Sequence, residues 1–233
     1  MSTVDRQIEE SIARRIYRGE LPAGTRLPTV RALAAEFSVT VPTIQRAVAR
    51  LAATGLVTAR QGSGITVQDP MTLGDLGVMG ALLEACADQP ERVGPILADF
   101  LELRRVLVVH LIRTRLPRLL GALPGMAEAT ERLMAATETA DIAAADAELS
   151  RHVVEAAGNT VVNAVFYAVA NLAMRAPAVA EALYGDRPAH NAALMGLVGA
   201  LAASDGDAEG AAQGVDAALA AWDEITVRRF ETG

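Results

Sequence analysis

The chain has 233 residues and a mass of 24.3 kDa, with 52% hydrophobic and 21% charged residues and a mean hydropathy of +0.27. That excludes a disordered or fibrous polypeptide and allows one large or two modest globular domains. All 21 basic residues are Arg, and the single cysteine, Cys86, excludes an internal disulfide and a Cys-based zinc finger. The opening MSTVDRQIEE lacks a basic stretch leading into an apolar run, so no secretory signal and a cytoplasmic location are expected. The net charge of −7 is unevenly spread: residues 1–70 hold nine Arg against six acids, and residues 71–233 hold twelve Arg against 22 acids. A basic head on an acidic body fits a nucleic-acid-binding module joined to a domain that avoids nucleic acid.

In the head, Val4, Ile8, Ile12 and Ile16 recur at i+4 as the apolar stripe of a first helix, and Gly19 stands where the chain would leave it. Leu21-Pro22-Ala23-Gly24 reads as a turn. Thr29 can cap a second helix, VRALAAEF, with Leu33 and Phe37 inward. Thr40 can cap a third, with Pro42 in its first turn, Ile44, Ala47, Val48 and Leu51 inward, and Gly55 as its stop. LVTAR and ITV read as short strands joined across Gln61-Gly62-Ser63-Gly64. Three helices and a hairpin in this order predict a winged helix-turn-helix over residues 1–68, with 69–74 as a linker.

The body, residues 75–233, shows no strand alternation. Its periodicity predicts helices at about 75–87, 90–116, 124–138, 140–157, 159–174, 177–184, 188–203 and 207–230, broken at Pro90, Pro117, Pro124, Gly158, Pro177, Pro188 and the turn at 204–207. The expected fold class is mainly α: an N-terminal winged helix-turn-helix followed by an all-α bundle. Ala156 to Met174 carries no charge, but Gly158, Asn159, Asn163 and Asn171 interrupt it and no basic flank orients it; a central bundle helix is expected there rather than a membrane span.

The run GELPAGTRLPTVRALAAEFSVTVPTIQRAVARLAATGLVTARQGSGITV resembles the DNA-binding domain of GntR-type transcriptional regulators. The matching pieces are the Gly19–Pro28 turn, Arg31 with Leu33-Ala34, the helix of Ala47 and Leu51, Gly55-Leu56, and Gln61-Gly62-Ser63-Gly64. The resemblance implies a homodimer that sets two recognition helices in successive major grooves of double-stranded DNA, with the wings near the minor groove. The residues agree. With the apolar positions inward, the third helix turns Thr43, Gln45, Arg46 and Arg50 outward, and Gln and Arg suit bidentate contacts to base edges. Arg31 and the wing's Arg60 suit phosphate. Thr40, Val41, Gln61, Gly62 and Ser63 complete the expected DNA-facing set. Where the family usually carries Arg, this chain has Val41 and Gln45, so its operator should differ from the usual one.

The body resembles the effector domain of the FadR-type branch, on its helical length, the Glu155–Asn159 run, the ELR at 102–104 and the late GDAEGAA helix. Part of that branch binds metal through Asp-x-x-x-His before Gly-Asn. Here Asp146 matches the Asp, but Ser150 stands at the His position, and His152 lies about 200° round the helix from it. His110, His152 and His190 with Asp146 are therefore weak metal candidates, and no metal or other cofactor is expected. Acyl-CoA-binding members supply another model, with Trp222 near the C-terminus. Asn163, Tyr167 and Asn171 form a polar stripe at i+4, and His110 with Arg113 interrupts a long apolar helix. Such groups, when buried, cost about 1–3 kcal/mol each unless paired. They line an effector cavity or pair among themselves and with solvent. Arg104, His110, Arg113, Asn163, Tyr167, Asn171 and Trp222 are the candidate contacts for an organic acid or acyl-CoA. No P-loop, GxSxG or Cys beside a base is present, which disfavours an enzyme, and a body of this size is unnecessary for an effector-free architectural DNA binder.

Overall fold

The computed structural model describes residues 3–60, 62–73, 76–175 and 177–232; at Thr3, Leu76, Ala127 and residues 169–175 it describes the backbone alone. These residues fall into two compact units, Met1–Cys86 and Ala87–Gly233.

The first unit opens with α1 (Thr3–Tyr17), α2 (Val30–Glu36) and α3 (Val41–Ala53), followed by β1 (Val57–Arg60) and β2 (Gly64–Val67). Ile8, Ile12 and Ile16 of α1 meet Leu33 and Ala34 of α2 and Ile44, Ala47, Val48 and Leu51 of α3 in one core. The expected stripe shifts at its ends. Val4 is exposed and its neighbour Asp5 is buried, and Phe37 is only half-buried, with Ala34 taking the inner position on α2. Thr29 caps α2, its hydroxyl accepting from the Ala32 amide at 3.2 Å. β1 and β2 pair antiparallel from Val57↔Val67 to Arg60↔Gly64, and the Leu27 amide donating to the Ile65 carbonyl lays residues 24–27 against the other edge of β2. Gly62 and Gly64 hold φ of 80° and 85°, the left-handed region that closes the wing and that other residues adopt only with strain. After a 3₁₀ turn at Pro70–Thr72 comes α4 (Leu76–Ala85). α4 packs on α1, and Arg18 and Cys86 tie the ends together by donating to the Ala85 and Tyr17 carbonyls. The first unit therefore runs to Cys86, past the expected end of the head at residue 68, and takes in the first helix expected of the body.

The second unit is all helix: α5 (Pro90–Ala135), α6 (Thr139–Ala157), α7 (Thr160–Arg175), α8 (Pro177–Tyr184), α9 (Arg187–Ala202) and α10 (Ala208–Thr232). α5 packs along both α6 and α10, and α9 lies on α10. The expected breaks at Pro117 and Pro124 do not occur; α5 runs through both for 46 residues, about 69 Å. Ile112, Leu116, Leu119, Met126, Ala129 and Leu133 keep one buried stripe in phase across both prolines, while Pro117 and Pro124 themselves face solvent. There water can satisfy the carbonyls that lose an amide partner, so continuous burial outweighs the local cost of about 3 kcal/mol per proline. A Cβ on Gly214 would come 2.9 Å from Ala200 Cβ, so a glycine is what lets α9 and α10 approach this closely. α7, which carries no charge before Arg175, is not the central helix expected. None of its described side chains is buried, and Val161 is 73% exposed. Among the described residues, no helix is long and apolar enough to cross a membrane.

Candidate nucleic-acid interface and interior polar cluster

In the first unit, the exposed side of α3 carries Val41, Pro42, Gln45, Arg46 and Ala49, with Thr43 and Arg50 half-buried beside them. Thr40 stands at the cap position, but its hydroxyl lies 2.9 Å from that of Thr43 and makes no bond to a first-turn amide. Arg31, near the start of α2, and Arg60, at the end of β1, are exposed and have no carboxylate partner among the described residues. Gly62 and Ser63 form the exposed tip of the wing; Gln61 lies outside the described residues.

Arg46 and Arg50 are differently placed. The Arg46 Nε donates to Asp5 Oδ2 at 2.8 Å and its Nη2 to Asp5 Oδ1 at 3.1 Å. One helical turn on, the Arg50 Nη1 donates to Glu9 Oε2 at 3.1 Å. Hydrogen bonding from Arg46 holds the Asp5 carboxyl below the usual carboxylate range against the opposing effect of its burial. Elsewhere in the head Arg6 pairs with Glu10, Arg15 with Glu36, and Arg18 with Glu20. The cations left open include Arg31 and Arg60, at the start of the helix-turn-helix and on the wing.

In the second unit the expected effector residues part company. Arg104 and Trp222 come together in the interior: the guanidinium carbon stands 4.6 Å from the indole centroid, while the same group pairs with Asp223. The Trp222 indole donates to the Leu183 carbonyl at 3.2 Å. His190, 2% exposed, packs edge-on against Trp222 and Tyr184. The Tyr184 hydroxyl donates to Asp146 Oδ2 at 2.9 Å, and His190 Nε2 stands 3.7 Å from Asp146 Oδ1. Arg187 closes the cluster, 3.5 Å from His190 Nδ1 and donating to the Leu133 carbonyl. Burial pushes the Tyr184 phenol well above its usual range, with the Asp146 carboxylate adding to it. Burial also pushes the Asp223 carboxyl up, and Arg104 and Arg105 offset that only in part. Neither Arg104 Nε nor Asp223 Oδ2 finds a hydrogen-bond partner. A recess of about 450 Å³ opens between α5 and α10 beside this pair, lined by Glu102, Arg105, Asp223, Val227 and Arg228.

The other expected contacts lie apart from the cluster. Exposed His110 lines a second recess with Val109 and Asp216, and Arg113 on its rim is held bidentately by Glu209 at 2.8 Å. Tyr167 donates to Glu155 at 3.2 Å rather than meeting Asn163, whose Oδ1 is buried without a partner. The Asn171 side chain lies outside the described residues. Half-buried His152 does not join Asp146 and His190, and among the described residues no three His, Cys, Asp or Glu gather as a metal site would require. Sequence reasoning missed Tyr184, Arg187 and Asp223. Asp223 had a signal in its place beside Trp222; the other two had none.

Residues 5–67 match the family model of bacterial regulatory proteins, gntR family. An uncharacterized HTH-type transcriptional regulator of Mycobacterium tuberculosis is 34% identical over 143 residues, 61% of this chain and 55% of that protein. The mannosyl-D-glycerate transport/metabolism system repressor MngR of Escherichia coli is 34% identical over 84 residues, 36% of this chain and 35% of the repressor. The chain thus spans about half or less of the curated relatives it matches. Among solved structures, that of Lar, described as controlling expression of the Listeria monocytogenes agr system and mediating virulence, is 18% identical with a TM-score of 0.55. It covers 100% of this chain and 99% of that one, a likeness of fold. These named relatives are regulators and not enzymes.

Proposed function

We propose that this chain, whose residues 5–67 match the gntR family model, is a cytoplasmic DNA-binding transcriptional repressor of that family that grips a palindromic operator as a homodimer and answers to a small anionic effector. The single observation that carries the DNA reading is the open set on one unit: an exposed α3 face whose arginines are paired with Asp5 and Glu9, flanked by the guanidiniums of Arg31 and Arg60, which have no carboxylate partner among the described residues. Gln45 suits the adenine edge, Val41 a thymine methyl, and the two arginines suit phosphate. The repressor sense follows the E. coli relative, and the FadR-type branch follows the all-helical body with its Glu155–Asn159 run.

Dimerisation falls to the second unit, because one winged helix reads only a half-site. The half-exposed α7, free of charge before Arg175 and with Val161 at its outer edge, is the face that association would cover. Sedimentation at micromolar concentration should show a dimer, and Val161→Asp should shift it toward monomer; a monomeric wild type, with or without operator, contradicts the proposal.

The effector reading rests on the Arg104–Asp223 pair over Trp222. A carboxylate, or a phosphate of an acyl-CoA's coenzyme A moiety, entering beside Asp223 would give the Arg104 guanidinium a partner in place of a carboxylate that burial already disfavours. A metal-dependent variant is the second reading, supported only by the approach of His190 to Asp146. A thermal-shift screen with short organic acids, acyl-CoAs and divalent metals separates them. An acid or acyl-CoA should raise the melting temperature of wild type and not of Arg104→Ala; a rise with Zn²⁺ or Ni²⁺ alone, lost in His190→Ala, would favour the metal.

A further inference from the structure

We propose that Asp5 is a specificity-determining residue of the DNA interface: it holds Arg46 on α1 and out of base reading, so that α3 meets the groove with uncharged side chains. This deepens, and rests on, the DNA-binding reading above.

By position alone Arg46 belongs to the reading face. It is exposed, one residue from Gln45, and its fork has the geometry that recognises guanine O6 and N7. Yet its Nε and Nη2 are both spent on the two oxygens of Asp5, at 2.8 and 3.1 Å, and Nη2 is further drawn to the Thr43 hydroxyl at 3.5 Å. The pair is lopsided. The Arg46 side chain is 55% exposed and the Asp5 side chain 8%. A guanidinium on the surface can exchange one acceptor for another, whereas the Asp5 carboxylate takes its hydrogen bonds from Arg46 and has Arg50 only as a charge at longer range. Turning Arg46 toward DNA would break both of these hydrogen bonds and leave the Asp5 carboxylate with only the more distant charge of Arg50, which penalises the move. The neighbouring pair of Arg50 with Glu9 repeats the arrangement one turn along both helices, which fixes the side of α3 that faces α1. What remains toward the groove is Val41, Pro42, Gln45 and Ala49, none of them charged.

The consequence is that α3 contributes contacts to base edges and little charge, leaving phosphate to open cations such as Arg31 and Arg60. The test compares wild type, Arg46→Ala, Asp5→Asn and the double variant by fluorescence anisotropy, on the duplex that wild type selects from a randomised pool and on a scrambled duplex. Arg46→Ala should leave the preferred site and the salt dependence as in wild type. Asp5→Asn should release the guanidinium, tighten binding to both duplexes at low salt and steepen the log–log salt slope by about 0.9 per unit. That is roughly a 3-fold greater loss of affinity between 50 and 200 mM salt for each added phosphate contact. The double variant should return to the wild-type slope; because it carries the same change at position 5, it separates the freed arginine from any loss of stability.

Two results overturn the inference. One is a wild-type slope that falls, or a guanine preference that relaxes, in Arg46→Ala, which would make Asp5 a support for a reading arginine. The other is an Asp5→Asn protein that binds both duplexes as wild type does. If wild type selects no sequence at all, the DNA-binding reading itself falls, and this inference with it.

Discussion

In the first unit Arg31 and Arg60 are exposed and have no carboxylate partner among the described residues, while Arg46 and half-buried Arg50, on the helix expected to read bases, are tied to Asp5 and Glu9. In the second unit Arg104 is drawn inside, its guanidinium over Trp222 and against Asp223, with exposures of 17% and 14% for the two charged side chains. The same residue type serves opposite ends. A surface guanidinium keeps its hydration and can trade partners, which is what contact with phosphate requires. An interior one has given up its hydration and depends wholly on what surrounds it, which makes it sensitive to an arriving ligand.

Removing one member of the interior pair should give the largest effect. Arg104→Ala leaves the Asp223 carboxylate without its nearest cation, and the second unit should lose about 3 kcal/mol in urea unfolding. Arg104→Met with Asp223→Leu should recover most of that loss, because the charge that would be stranded is gone. A single variant as stable as wild type would mean that solvent reaches the pair freely and the comparison fails. At the surface, Arg31→Ala should leave the melting temperature unchanged while weakening all duplexes nearly alike, with a salt slope lower by about 0.9 per unit. Loss confined to one sequence would instead make Arg31 a base reader. The smallest effect concerns acid. Asp5 holds its charge to lower pH in the folded unit than in the unfolded chain, because of Arg46. Its contribution is therefore complete above the ordinary carboxylate range and drains away as pH falls through the depressed value. Asp5→Asn should flatten that acid limb in a melting-temperature-against-pH series, and Arg46→Ala should flatten it similarly.

The head was legible because its signals are local. Ile44, Ala47, Val48 and Leu51 mark the inner face of α3 within two turns, and Gly19 and Gly55 stop their helices with φ of 73° and 79°. What escaped lies far apart in the chain. Arg46 finds Asp5 41 positions away, and Arg104 finds Asp223 119 positions away; no periodicity signals such a meeting. Asp5 was hidden further by its neighbour, since Val4 continued the i+4 stripe while the structure buries the acid and exposes the valine. The prolines of α5 misled for a different reason. Their cost depends on which side of the helix they face, and that is settled by packing against α6 and α10 rather than by the residues around them. The polar stripe on α7 was real as a pattern, but Tyr167 turned to Glu155 on α6. Trp222 and Arg104 were singled out separately, and only the fold placed one upon the other.

The central claim, that α3 reads DNA with Val41 and Gln45 in place of charged side chains, is tested most directly by selecting duplexes from a randomised pool with wild type and Gln45→Ala. The account predicts a palindrome whose half-sites depend on A·T pairs where these two residues reach. Gln45→Ala should relax one symmetric position per half-site and cost about 1–3 kcal/mol on the best site. A wild-type motif built on guanines at those positions, or an unchanged motif in Gln45→Ala, would contradict it.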